Sequence, residues 1–334
     1  HMTSSADKRI VGEAAIIGEY FAPLTEADGG AAGLLDDCAT LSPEPGTDLV
    51  VTTDSLIEGV HFFPGDVPAF KALAVNVSDL IAKGAAPQRY LLTLALPEPP
   101  THAFMSRFTA ELGEAQRAFR CHLIGGDTDR TPGPFTITIA AIGVLPAGTI
   151  IRRITALPGD IVAVTGTIGD AALGLALRQN PTRFDAAALS ADQVAHLVAR
   201  FDRPVPRLAT AALVRNYARA SMDVSDGLAK DLGRLVTTSG VGADVNLDDV
   251  PLSEAARILC ERGLSLREAL IAGGEDYEVL FTLPPERWTQ MSQAARQSAV
   301  PITRLGVITE SAGVTWRGVA GETLQLTAQG WDHF

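Results

Sequence analysis

The sequence predicts a two-domain chain of mixed α+β and α/β class, and three observations carry that prediction. Its 334 residues exceed the ~100–200 of a usual domain. Helix-period and strand-type apolar patterns alternate from end to end. A Pro146-Ala147-Gly148 break, followed by Arg152-Arg153 and Pro158-Gly159-Asp160, punctuates the middle. Residues 3–148 therefore read as an N-terminal domain with two helices over a mixed sheet, and residues 149–334 as a larger α/β C-terminal domain. With 46% hydrophobic and 20% charged residues, the chain can build an ordinary core.

The elements follow in order. His1-Met2 reads as an expression-tag remnant and is set aside. Ile10, Ala14, Ile17 and Phe21 recur at helical spacing and predict an amphipathic first helix. Asp28-Gly29-Gly30 reads as a flexible turn. Leu49-Val50-Val51 reads as a buried strand ending in Thr52-Thr53-Asp54. A helix over Ala69 to Lys83 stops at Gly84. A strand (Tyr90 to Leu96), a helix (Thr101 to Phe119), a short strand (Leu123-Ile124) and a long strand (Phe135 to Val144) complete the first half. In the second half, the strand Ile161 to Val164 leads into a helix opened by Gly166-Thr167-Ile168-Gly169-Asp170. Residues 181–206 read as helical. The helix Leu228 to Val236, the strand Ala243 to Leu247, two helices, the strand Tyr277 to Leu283, and a last helix with short strands follow.

A formal charge of -12 argues against nucleic acid and against an anionic membrane surface. Small phosphorylated ligands remain compatible if cations offset the repulsion. Cys38, Cys121 and Cys260 are few, scattered and odd in number, which points to reduced thiols and a cytoplasmic location. No apolar run reaches membrane-spanning length, and no signal-peptide core opens the chain.

The chemistry concentrates in acids. Five motifs share a style of apolar run, small residues, then carboxylate: Asp36-Asp37, Thr52-Thr53-Asp54, Gly125-Gly126-Asp127, Asp223-Val224-Ser225-Asp226 and Gly273-Gly274-Glu275-Asp276. Asp79, on an otherwise apolar face with Ala72 and Val75, adds a sixth. Oxygen donors of this kind suit hard cations such as Mg²⁺. A single Gly-Asp motif can equally be a solvated turn, and Asp79 can equally pair locally with Asn76 or Lys83. Six together favour a metal cluster, because carboxylates ~4 Å apart repel by roughly 4 kcal/mol at an effective dielectric of 20. No GxxxxGK[ST] loop, ordered GxGxxG, HExxH, GxSxG elbow or zinc spacing occurs. A nucleotide would have to be held through metals, glycine backbone and basic groups. Arg153, Arg130 and Lys71 are the candidates, with a surface ion pair favoured for the last two.

In this order, the motifs make the chain resemble the thiamine-monophosphate kinases, of the superfamily that includes aminoimidazole ribonucleotide synthetase. The matching segments are Asp36-Asp37-Cys38-Ala39, Thr52 to Leu56 with Glu58 to Phe62, Lys71 to Asp79, Gly125 to Thr128, Asp223 to Leu228 and Gly273 to Glu278. The resemblance implies ATP-dependent phosphorylation of thiamine monophosphate to thiamine diphosphate, the last step of thiamine diphosphate biosynthesis. It implies several Mg²⁺ ions, and a homodimer whose N-terminal sheets join into a β-barrel. By position, Asp37, Thr52, Thr53, Asp54, Asp79, Asp127, Asp223 and Asp226 match the family's magnesium sites. Gly126, Asp127, Arg153 and Ser225 match its ATP contacts. His61, Glu275 and Trp331 match its thiamine-phosphate contacts. No general base is implied. His61 can also be a plain loop histidine, Glu275 a cap and Trp331 a packing anchor. Leu35, Asp129, Thr131 and Ile154-Thr155 depart from the family pattern. The rivals are aminoimidazole ribonucleotide synthetase itself and a noncatalytic metal or nucleotide binder.

Overall fold

The computed structural model describes residues 4–185, 188–326 and 330. Two compact units divide the chain: His1–Leu80 with Ala85–Gly148, and Ile81–Gly84 with Thr149–Phe334. The class is α+β.

The first unit begins with α1 (Glu13–Ile16), which widens into a π turn over Ile17–Phe21 and tightens into a 3-10 turn over Ala22–Thr25. The wide turn resets the phase of the helix. Ile16, Tyr20, Phe21 and Leu24 are buried, whereas Ala14 of the expected stripe is exposed. Then come β1 (Thr47–Ile57), α2 (Ala69–Ala82), β2 (Ala86–Leu96), α3 (His102–Phe119), β3 (His122–Arg130) and β4 (Thr136–Pro146). The sheet order is β1-β4-β2-β3. β1–β4 and β4–β2 are antiparallel, and β2–β3 is parallel. Thr101 caps α3 by accepting the Phe104 N–H. Gln116 of α3 ties the helix to the sheet, its Oε1 accepting from Tyr90 Oη and the Leu123 N–H, both at 2.9 Å. α2 buries nearly every side chain because it is built of small and aliphatic residues.

Asp28-Gly29-Gly30 is not loose. The Asp28 carboxylate accepts the Gly30 N–H at 2.8 Å and, at 2.7 Å, pairs with Arg89 Nε and contacts His122 Nε2. Those partners hold its pKa far below the usual carboxylate range.

The second unit contains β5 (Ile161–Thr165), α4 (Asp170–Gln179), α5 (Ala191–Asp202), α6 (Ala209–Tyr217), β6 (Ala220–Val224), α7 (Leu228–Ser239), β7 (Gly242–Asn246), α8 (Glu254–Glu261), α9 (Arg267–Ala272), β8 (Glu278–Leu283), α10 (Trp288–Gln297), β9 (Ile302–Thr309) and β10 (Gly313–Arg317). Its sheet runs β10-β7-β9-β5-β8-β6. Only β10–β7 is parallel, so antiparallel pairing dominates what the sequence suggested as α/β. The helix expected over 181–206 is confined to α5, where a Ser190–Gln193 capping box starts it. β5, β6 and β8 are buried along their length. Among the described residues, no helix is long and apolar enough to cross a membrane.

Candidate active site

In the first unit the acids lie on strands rather than beyond them. β1 runs through Thr52-Thr53-Asp54 to Ile57, and it is an edge strand. Leu49 and Val51 lie on the face turned away from α2 and are 38% and 64% exposed, not buried. Alternation puts Thr52 and Asp54 on one face and Thr53 and Ser55 on the other. Thr52 Oγ1 donates to Asp79 Oδ2 at 2.7 Å, so that first face looks toward α2. Asp79 thus pairs with another predicted site residue. Asn76 and Lys83 donate instead to backbone carbonyls, those of Ala72 and Ser221. Thr53 Oγ1 donates to the Ile139 carbonyl at 3.0 Å. Asp54 is exposed, and so is Asp37, whose N–H donates to Asp36 Oδ1.

β3 continues through Gly125-Gly126-Asp127 to Arg130, longer than the two-residue strand expected. Gly126 has φ 156°, and a Cβ there would meet the Leu92 carbonyl oxygen at 1.8 Å, so no other residue fits. Asp127 stands opposite Thr93, Thr93 opposite Thr138, and Thr138 opposite Ser55. Asp127 therefore shares the Ser55 face, not that of Asp54. It also lies on the far edge of the sheet, three strand spacings or roughly 14 Å away.

His61 Nδ1 accepts the Ile57 N–H at 3.0 Å, which places the ring proton on Nε2 when the imidazole is neutral. Lys71 is not at the surface, where the sequence favoured an ion pair. It is 1% exposed, and its ammonium donates to the His61 carbonyl at 3.0 Å. Lys71 thereby holds the loop that presents His61. Arg130 is exposed.

In the second unit, two predicted motifs meet. Asp223 is buried near the end of β6, and Ser225 and Asp226 are half-buried in the turn to α7. The Gly273-Gly274-Glu275-Asp276 loop packs on that turn: Glu275 N–H donates to the Ser225 carbonyl at 2.7 Å, and Tyr277 N–H to the Val224 carbonyl at 2.8 Å. A Cβ on Gly274 would fall 2.7 Å from the Ser225 oxygen. Glu275 and Tyr277 adopt φ 72° and 49°, a region that side chains rarely occupy and that clusters at functional loops. Arg153 is exposed; its carbonyl accepts from Ser239 Oγ at 3.0 Å. Trp331 lies outside the described residues.

Two residues that sequence reasoning passed over, Asp231 and Arg234, shape these loops, together with the buried acids Asp276 and Glu278. Asp231 and Arg234, on the first turns of α7, clamp the Ser225-Asp226 segment. Asp231 is fully buried, and burial pushes its carboxyl up to about 6. Asp276 is also fully buried; its Oδ1 accepts the Gly169 N–H at 2.9 Å, and burial drives its pKa well upward. Beside it, Glu278 accepts from Thr165 Oγ1 and Arg207 Nη1, each at 2.7 Å, and burial raises its pKa against the pull of Arg200 and Arg207. The legible signal was the acid–base pair Asp231/Arg234 at i, i+3 just after an acidic loop.

The donors fit a hard dication by chemistry, being carboxylates and hydroxyls. Among the described residues, however, no group of three or more His, Cys, Asp or Glu side chains is gathered to hold a metal ion.

Comparison with known proteins now places the chain. It matches the AIR synthase related protein N-terminal domain over residues 35–145 and the corresponding C-terminal domain over 158–317. That defines the class: an AIR synthase-like two-domain protein. A thiamine-monophosphate kinase of Salmonella typhimurium is 40% identical over 331 residues, covering 97% of this chain and 98% of the relative. The crystal structure of a thiamine-monophosphate kinase from Stenotrophomonas maltophilia has a TM-score of 0.78 at 37% identity, covering 87% of this chain and 91% of the other. A structure of AaThiL complexed with AMPPCP and TMP has a TM-score of 0.76 at 33% identity, covering 88% and 89%. The chain belongs to the thiamine-monophosphate kinase family.

Proposed function

We propose that the protein transfers a phosphoryl group from ATP to the phosphate of thiamine monophosphate, giving thiamine diphosphate as the last step of that cofactor's synthesis. The observation that carries this reading is kinship over essentially the whole chain, at 40% identity to a thiamine-monophosphate kinase, with every acidic motif in place. Three unpaired cysteines support a cytoplasmic enzyme.

Asp37, Thr52, Thr53, Asp54, Asp79, Asp127, Asp223 and Asp226 would hold Mg²⁺. Bound Mg²⁺ supplies charge neutralisation between two phosphates. The chain's own residues bind and orient. Gly126, Asp127, Arg153 and Ser225 receive ATP; His61, Glu275 and Trp331 receive the thiamine phosphate. His61 is held by its Nδ1 acceptor role, leaving Nε2–H as the donor toward an anion. The acceptor phosphate, with a second pKa near ~6, is already ionised at pH 7 and needs no base. Direct transfer in a ternary complex follows. The test is ADP formation that depends on thiamine monophosphate and Mg²⁺, with intersecting initial-rate plots. No turnover would favour a binder, and a competent phosphoenzyme formed from ATP alone would overturn direct transfer.

The homodimer belongs to the same reading. β1 presents Leu49 and Val51, and β2 presents Leu91, all on one sheet face and 38–64% exposed. A long apolar edge of this kind is ordinarily covered. Closing two such sheets into a barrel would cover that face. Sedimentation that gives a monomer would overturn the dimer.

A further inference from the structure

The turn that carries Ser225 and Asp226 is not held in the usual way for a helix start. α7 begins after Gly227, whose φ is 114° and which offers no side-chain cap. A capping side chain ordinarily sits before the helix and reaches forward to its first N–H groups. Here the reach is reversed. Asp231, inside α7, sends its carboxylate back, and Oδ2 accepts both the Ser225 and the Asp226 N–H at 3.0 Å. Its other oxygen, Oδ1, accepts from Arg234 Nη1 at 3.0 Å. The same Nη1 donates to Asp226 Oδ2 at 2.5 Å. One closed circuit therefore fixes the backbone of both loop residues and the side chain of the second.

Burying a carboxylate is expensive unless its partners are fully used. Asp231 is 0% exposed, so it reaches neither solvent nor ligand. A serine, threonine or asparagine before the helix would cap it without burying a charge. What the buried acid adds is a fixed aim for Ser225 Oγ and the Asp226 carboxylate. The neighbouring Glu275 touches this segment through its own N–H, on the Ser225 carbonyl at 2.7 Å, and its loop has two further anchors: Tyr277 N–H on the Val224 carbonyl, and Asp276 Oδ1 on the Gly169 N–H. The circuit thus fixes the Ser225-Asp226 segment directly and reaches Glu275 only through one backbone bond.

We propose that Asp231, acting through Arg234 and the two loop N–H groups, is a positioning residue chiefly for the nucleotide-and-metal half of the site, the thiamine-phosphate half being reached only through the Glu275 N–H on the Ser225 carbonyl. This rests on the reading that Ser225 and Asp226 contact ATP and metal. The test compares Asp231→Asn, Arg234→Gln, Ser225→Ala and Asp226→Asn in the full-length protein. Asp231→Asn keeps the shape but gives up the ion pair. Arg234, whose side chain is 38% exposed, can be replaced without a buried vacancy, so its variant answers if Asp231→Asn does not fold. Each is measured for the KM of ATP, the KM of thiamine monophosphate, and Mn²⁺ binding by electron paramagnetic resonance without thiamine phosphate.

Both clamp variants are expected to raise the KM of ATP roughly 10–100-fold and to weaken Mn²⁺ binding, with the KM of thiamine monophosphate within about twofold. Equal rises in both KM values, or a lowered melting temperature with both KM values unchanged, would overturn the proposal. The controls separate it from the reading beneath it. If Ser225→Ala and Asp226→Asn leave the ATP KM and Mn²⁺ binding at wild-type values, the assignment of that loop fails. If they weaken both while the clamp variants do not, the positioning role alone fails.

Discussion

The Thr52-Thr53-Asp54 segment and the Asp223-Val224-Ser225-Asp226 segment look alike as sequence and are built on opposite principles. The first lies mid-strand on a sheet edge, with Asp54 solvent-exposed and Thr52 bonded to Asp79 of α2. The second follows a buried strand and is fastened by Asp231, Arg234 and the Glu275 loop. An edge strand needs no fastening, because its backbone is already held by the sheet. A turn between strand and helix has free N–H groups, and a buried one must find acceptors for them. The acids of the first unit should therefore separate chemistry from stability, whereas those around α7 should couple the two.

The largest expected effect is on chemistry alone. Asp54→Asn should lower turnover by roughly 10²–10³ with the melting temperature nearly unchanged. Wild-type turnover at saturating Mg²⁺ would remove Asp54 from the site. Next is stability in the second unit. Asp231→Ala strands the Ser225 and Asp226 N–H groups, which should cost about 2–4 kcal/mol; calorimetry showing no loss would mean the α7 clamp is slack.

A clamped acid also exists in the first unit, and it checks that clamping follows local backbone need rather than domain. Asp28 is held by Arg89, His122 and the Gly30 N–H, with its side chain 10% exposed. Its folded pKa lies below the unfolded value. The stability it contributes is therefore present above about pH 4 and lost as pH falls through the carboxylate range. Asp28→Asn should cost about 2 kcal/mol at pH 7, and the gap to wild type should shrink in denaturation series taken below pH 4. A gap independent of pH would point to packing instead. The smallest effect concerns the substrate end. Trp331→Ala should raise the KM of thiamine monophosphate roughly 5–30-fold if its ring stacks on the cationic thiazolium. The KM of ATP should move little. A fall in melting temperature with neither KM altered would make Trp331 a packing anchor.

By itself, the sequence determined what repeats locally. The helical pattern placed α2 and α3 within a residue or so, although α3 buries one face and α2 is buried nearly all round. The glycine-acid motifs, in their order, sufficed for the family, and Gly126 and Gly274 proved to be places where backbone approaches too closely for a Cβ. Pattern could not tell a covered sheet face from an uncovered one. Leu49 and Val51 have the composition of a buried strand, yet with Leu91 they lie on the exposed face of the sheet, opposite the one α2 covers. Nor could it tell which acids meet partners far off in sequence. Thr52 meets Asp79 across 27 residues and Asp28 meets His122 across 94. Lys71, of a residue type ordinarily found at the surface, is buried with its ammonium on the His61 carbonyl. Periodicity reports which face of an element is apolar. Which element covers that face, and which charge finds a partner, is decided when distant segments pair.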